Sequence, residues 1–159
     1  MVAHLEQKIK NMSRYVVLIL GTVAVLLIAC ASTNRSATRR NDLGGEWILQ
    51  SITGEKDPDK MYSESRMPIL LFDASKMSVS GNNGCNRISG KYTLPGKEKI
   101  KFGSLMSTKM ACPDIGNGET IFMNAIAKCN SFSVDGTTLI LKDGDTEIMR
   151  FTKKIKDKN

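Results

Sequence analysis

Histidine is nearly missing from this 159-residue chain, and the single one, His4, stands ahead of an apolar run that reads as a removable leader. A mature domain without histidine carries no Ser/His/Asp or Cys/His catalytic set and no His-ligated zinc. It also lacks the side chain that most often moves protons near neutral pH. Aromatic residues make up only 6%, too few for the stacking platform that single-stranded nucleic acid needs. No repeat or low-complexity run is present, which excludes a solenoid, collagenous or wholly disordered chain. The four cysteines, Cys30, Cys85, Cys112 and Cys129, form no Cys-x-x-Cys pair, so a thioredoxin-like redox site is not expected. Three scattered cysteines without histidine do not make a four-ligand zinc set either. With no paired acids and no nucleophile beside a base, the reading is a protein that is not an enzyme and takes no metal or cofactor.

Charge has an excess of +7, a balance that invites a nucleic-acid reading. Its distribution opposes one. Residues 43–152 hold 13 Lys/Arg and 13 Asp/Glu, so the domain is neutral and the excess sits at the ends, in Arg35, Arg39 and Arg40 and in the tail 153–159. Those ends suit either anionic lipid headgroups or plain solvation.

Tyr15 to Ala29 is uncharged and strongly apolar, preceded by Lys8, Lys10 and Arg14, which is a secretory leader pattern. It closes on Leu27-Ile28-Ala29-Cys30, which resembles a bacterial lipobox. In such signals the cysteine thiol takes a diacylglycerol and the chain is cut before it, giving stable anchoring because two acyl chains insert together. Two other readings remain. Ala29-Cys30-Ala31 also fits ordinary signal peptidase, which would release a soluble protein, and the run is at the lower length limit for an uncleaved span. The expected organisation is a leader 1–29, lipidated Cys30 opening a flexible tether 30–42, a domain 43–152 and a basic tail 153–159. Ala31 and Ser32 rather than aspartate follow the cysteine, and the resemblance to enterobacterial sorting signals implies a periplasm-facing outer-membrane lipoprotein.

Within the domain, period-two runs at 45–52, 76–80, 87–94 and 99–102 read as strands, and Pro68 opens a continuous apolar run, Ile69-Leu70-Leu71-Phe72, suited to a buried strand. Asn82-Asn83-Gly84 predicts a tight reversal, Pro95-Gly96 a second turn, and 53–66 a loop. Phe122, Ala125, Ile126 and Cys129 recur at 0, +3, +4 and +7 behind Asn117-Gly118-Glu119, the one convincing helix. Strands around Phe132-Val134, Leu139–Leu141 and Ile148–Phe151 follow, turned at Asp135-Gly136 and Asp143-Gly144. The three carboxylates of 143–147 are a hairpin turn rather than a calcium loop, and Glu55, Asp57, Asp59 and Glu64 a solvated surface. About eight strands and one helix imply an α+β domain: a curved antiparallel sheet or open barrel closed by the helix.

Leu43-Gly44-Gly45-Glu46-Trp47, Ser80-Gly81-Asn82-Asn83-Gly84-Cys85-Asn86-Arg87-Ile88-Ser89-Gly90 and Ser107-Thr108-Lys109-Met110-Ala111-Cys112 together resemble the META/HslJ domain family of small bacterial envelope proteins. Glu119, Phe122 and Ala125 match that family's helix. The resemblance implies no settled activity; it implies an association with heat shock and novobiocin tolerance and a fold similar to pilotin lipoproteins. Cys85 and Cys112 belong to the matching motifs and Cys129 does not, so a Cys85–Cys112 disulfide suits an oxidising envelope, two unpaired buried thiols being the alternative. If that bond forms, the two α-carbons lie within about 7 Å, and Asn86-Arg87 meets Lys109-Met110. These four are the candidate binding residues, the alternative being that they only close the barrel end. The nine methionines, Met77, Met106, Met110 and Met123 among them, either line an adaptable apolar pocket or fill the core. The expected partner is the membrane through Cys30, with an apolar ligand or envelope protein bound by the domain and no nucleic acid. A pilotin-like chaperone is the second reading.

Overall fold

A computed structural model of the chain describes residues 42–55 and 57–155. The expected leader, Cys30 and its tether lie outside the described residues. Alternating residues settle into nine antiparallel strands: β1 (Gly45–Ile52), β2 (Ile69–Asp73), β3 (Ser78–Asn82), β4 (Arg87–Gly96), β5 (Lys99–Phe102), β6 (Met106–Ser107), β7 (Ser131–Asp135), β8 (Thr138–Asp143) and β9 (Thr146–Lys153). They pair in the order β3-β2-β1-β9-β8-β7-β5-β4-β6, and a β3–β4 pairing closes eight of them into a barrel with β6 added. Closure goes beyond the expected open barrel. It comes from the hairpin at Asn82-Asn83-Gly84, whose arms pair from Asn82↔Arg87 to Ser78↔Lys91. β4 is ten residues long, enough to hold β3 along one edge and β6 and then β5 along the other. The weakest seam is β5–β7, with the single rung Lys99↔Ser131.

Inside the barrel the period-two faces meet: Trp47, Leu49, Leu70, Phe72, Tyr92, Leu139, Leu141, Met149 and Phe151 are all buried. Each large apolar side chain removed from water contributes about 1.5–3 kcal/mol. The Trp47 indole donates to the Leu43 carbonyl at 2.8 Å, and Phe72 meets Tyr92 edge-on at 5.3 Å. β2 differs from the expected fully buried strand, because Leu71 is 45% exposed between buried Leu70 and Phe72. A strand in a closed barrel always keeps one face outside. β3 begins at Ser78 rather than Lys76, since the Asp73 carboxylate accepts from the Ser75 and Lys76 amides, both at 3.0 Å, and folds 74–77 into a turn. Pro95 and Gly96 stay in β4, and the reversal falls at 97–98. Gly81 has φ +152°, and a Cβ there would stand 1.9 Å from the Ile69 carbonyl oxygen, so only glycine lets β2 approach.

The expected loop 53–66 contains a short helix, α1 (Pro58–Met61), and a 3-10 turn at Glu64–Arg66. Pro58 presets the first turn and the Asp57 carboxylate accepts from the Asp59 amide at 3.4 Å. The long helix α2 (Gly118–Lys128) buries Phe122, Ala125 and Ile126 as the spacing requires. No helix among the described residues is long and apolar enough to cross a membrane.

Candidate functional site

The β3–β4 reversal is built by asparagine amides. Buried Asn83 accepts the amides of Cys85 and Asn86 on its Oδ1, at 3.2 and 2.7 Å, and donates through Nδ2 to Glu119 Oε1 at 3.1 Å. Gly84 has φ +95°, and a Cβ there would fall 2.4 Å from the Tyr62 ring. The Tyr62 hydroxyl in turn donates to the Gly118 carbonyl at 2.7 Å. Burial pushes that phenol up to about 12, with Glu55 adding to the effect.

Asn86 is 1% exposed, and every polar atom of its side chain is used. Its Oδ1 accepts from Thr108 Oγ1 and from the Met110 amide, both at 2.7 Å. Its Nδ2 donates to Glu119 Oε2 at 2.8 Å and to the Met110 carbonyl at 3.3 Å. Glu119 occupies the first turn of α2, where the helix dipole favours its charge, and it accepts a third side-chain bond from Ser107 Oγ at 3.4 Å. Arg87 and Thr108 exchange two more bonds: the Thr108 amide donates to the Arg87 carbonyl at 3.0 Å, and the Arg87 amide donates to Thr108 Oγ1 at 3.1 Å.

A disulfide joins Cys85 to Cys112, with α-carbons 5.8 Å apart. Arg66 donates to Cys112 Sγ at 3.2 Å and pairs with Asp114 at 2.7 Å. The segment 106–112 is thus held by β6 pairing, an asparagine clamp and a covalent bond. The side chains it presents face solvent: Met106 is 70% and Met110 58% exposed, and Lys109 and Arg87 are exposed with no ion pair among the described residues.

Of the four sequence candidates, Arg87, Lys109 and Met110 are exposed on two segments that the Arg87–Thr108 bonds hold side by side. Asn86 does not belong with them as a contact residue, because it lies under the loop with its amide consumed by the protein. Asn83, Thr108 and Glu119 support the face as well. Asn83 and Glu119 were visible as turn and helix-start residues, but their meeting was not. The four named methionines are dispersed: Met106 opens β6, Met110 lies in the segment after it, Met77 in the β2–β3 turn, and Met123 on α2. Arg87 and Met106 flank a shallow cleft of about 610 Å³ whose other walls include the hydroxyls of Ser80, Ser89, Ser107 and Thr108.

A second cleft, of about 710 Å³, opens where the β5–β7 seam is thin, between β5 and the C-terminal half of α2. Cys129 lines it as a free, buried thiol, pushed up to about 12 by burial and then by Asp143. It stays protonated and unreactive at neutral pH. Among the described residues no group of three or more His, Cys, Asp or Glu side chains is placed to hold a metal.

The META domain family matches residues 41–156. An NMR structure of a protein from Burkholderia xenovorans is 24% identical, covering 72% of this chain and 86% of its own, with a TM-score of 0.55. A second NMR structure is 22% identical over 69% of this chain and 88% of its own, at a TM-score of 0.51. The crystal structure of a DUF4847 family protein from Bacteroides vulgatus is 16% identical over 72% and 95%, at 0.50. At these identities the likeness is one of fold. No curated protein matches the chain.

Proposed function

The chain belongs to the META domain family, and from that premise we propose that it is a non-catalytic, lipid-anchored envelope protein whose domain holds an envelope partner on the face of Arg87, Lys109 and Met110. The single observation that carries the reading is a contrast in one segment. Residues 106–112 are clamped by a fully engaged buried amide and a disulfide, yet Met106, Lys109 and Met110 are exposed. Rigid scaffolding beneath exposed side chains lowers the ordering cost of binding. Two exposed thioethers and two exposed cations with no ion pair among the described residues suit a partner surface that is apolar and acidic.

Anchoring rests on Leu27-Ile28-Ala29-Cys30 and places the domain at the periplasmic side of the outer membrane, where it supports tolerance of envelope stress. Cys30→Ala abolishes acyl labelling and membrane retention. The triple variant Arg87→Ala, Lys109→Ala, Met110→Ala loses its crosslinked envelope partner and its stress phenotype at an unchanged melting temperature. A captured partner that survives the triple variant refutes the assignment of the face. The pilotin-like reading draws support from β6, which among the described residues pairs with β4 alone and so ends the sheet at an edge suited to a partner strand.

A further inference from the structure

The β5–α2 cleft has a two-part chemistry independent of the stapled loop. Its accessible apolar surface comes from half-buried Phe102 and Leu105 on one side and half-buried Met123 on the other, with Ile100 and Ile126 buried beneath them. Its rim carries Lys99, Lys101 and Lys128, all exposed and none in an ion pair among the described residues. None of the lining residues is acidic; Glu98, in the adjoining turn, is not among them. The cleft exists because the sheet thins there: β5 shares one rung with β7, and α2 crosses the gap without filling it. Its volume of about 710 Å³ falls within the roughly 300–1,000 Å³ of small-molecule sites.

We propose that this cleft binds a single-chain anionic amphiphile, its acyl chain along Phe102, Leu105 and Met123 and its carboxylate or phosphate among Lys99, Lys101 and Lys128. An apolar floor alone takes any greasy group. Three ammonium groups at its mouth, none in an ion pair among the described residues, select a ligand with one anionic head, and the nearby Asp143 carboxylate is engaged by Asn130. Cys129, protonated and buried at the cleft wall, adds no charge to the floor.

Photolabelling of the full chain in its membranes tests this, using palmitic acid and a monoacyl phosphate that each carry a diazirine in the chain, against a diazirine alcohol of equal length. Both anionic probes label peptides spanning 99–105 or 123–128, and whichever labels more strongly identifies the preferred head. Ala127→Trp, which fills the cleft from an exposed helix position, lowers that labelling at least tenfold. The surface triple Lys99→Gln, Lys101→Gln, Lys128→Gln lowers acid and phosphate labelling at least tenfold and leaves alcohol labelling unchanged. The loop triple at Arg87, Lys109 and Met110 labels like the native chain, which separates this site from the partner face. Adducts scattered outside the cleft, equal labelling by acid and alcohol, or indifference to both cleft variants overturns the proposal.

Discussion

Asn86 is buried at 1% exposure and satisfies Thr108, both backbone groups of Met110 and one oxygen of Glu119. Asn86→Ala orphans the Met110 amide and that carboxylate oxygen, and each unsatisfied buried group costs about 1–3 kcal/mol. Thermal unfolding therefore shows a loss of about 2–4 kcal/mol, and hydrogen exchange at the Met110 amide accelerates. Asn86→Asp keeps the acceptor but sets a second carboxylate against Glu119, and like charges raise the pKa of one of them in the folded state. The sign follows: the folded protein then binds a proton the unfolded chain does not, so this variant gains stability as pH falls from 7 towards 5. Denaturant titrations at the two pH values check it. The residue itself was legible as an asparagine beside a reversal. Its burial was not, because Glu119 is 33 residues away and only the folded barrel sets α2 over the hairpin.

The hairpin loop and the 106–112 segment are joined by Cys85–Cys112, 27 residues apart in sequence. Removing the bond releases loop entropy to the unfolded chain, about 3–4 kcal/mol on the chain-entropy model. Cys112→Ser lowers the denaturation midpoint accordingly, and non-reducing mass spectrometry of the native protein finds one bonded pair with Cys129 unalkylated until unfolding. Legibility differed by element for a physical reason. α2 announced itself because Phe122, Ala125, Ile126 and Cys129 repeat at helical spacing behind Asn117-Gly118-Glu119. α1 has four residues and buries only Pro58, so it has no period to read and is set by the Asp57 cap and proline. β2 read as buried on both faces from its composition, while the closed barrel left Leu71 outside.

For the molecule as a whole, two buried acids set the alkaline limit. Cys129 rises from 9.0 and Tyr62 from 10.0, each to about 12 and chiefly by burial. As pH climbs past 9 the unfolded chain sheds these protons first, so stability holds below pH 9 and falls between 9 and 12. Cys129→Ala flattens the early part of that fall, which chemical denaturation at pH 8 and pH 10.5 measures. Asp73 has the opposite sign. Its bonds from Ser75 and the Lys76 amide hold it at about 2 against an ordinary 3.8, so its contribution is present above pH 4 and disappears as pH falls through 2.

The sequence by itself determined the eight barrel strands, the long helix α2, the family and the identity of the motif cysteines, because alternation, helical spacing and local motifs are properties of neighbours along the chain. Tertiary structure decided the rest: the closure of the barrel through β3–β4, the conversion of Asn86 from a surface candidate to a buried clamp, and the cleft beneath the thin β5–β7 seam. Each depends on residues far apart in sequence that meet only when strand register brings them together, and register is set by packing of all eight barrel strands at once.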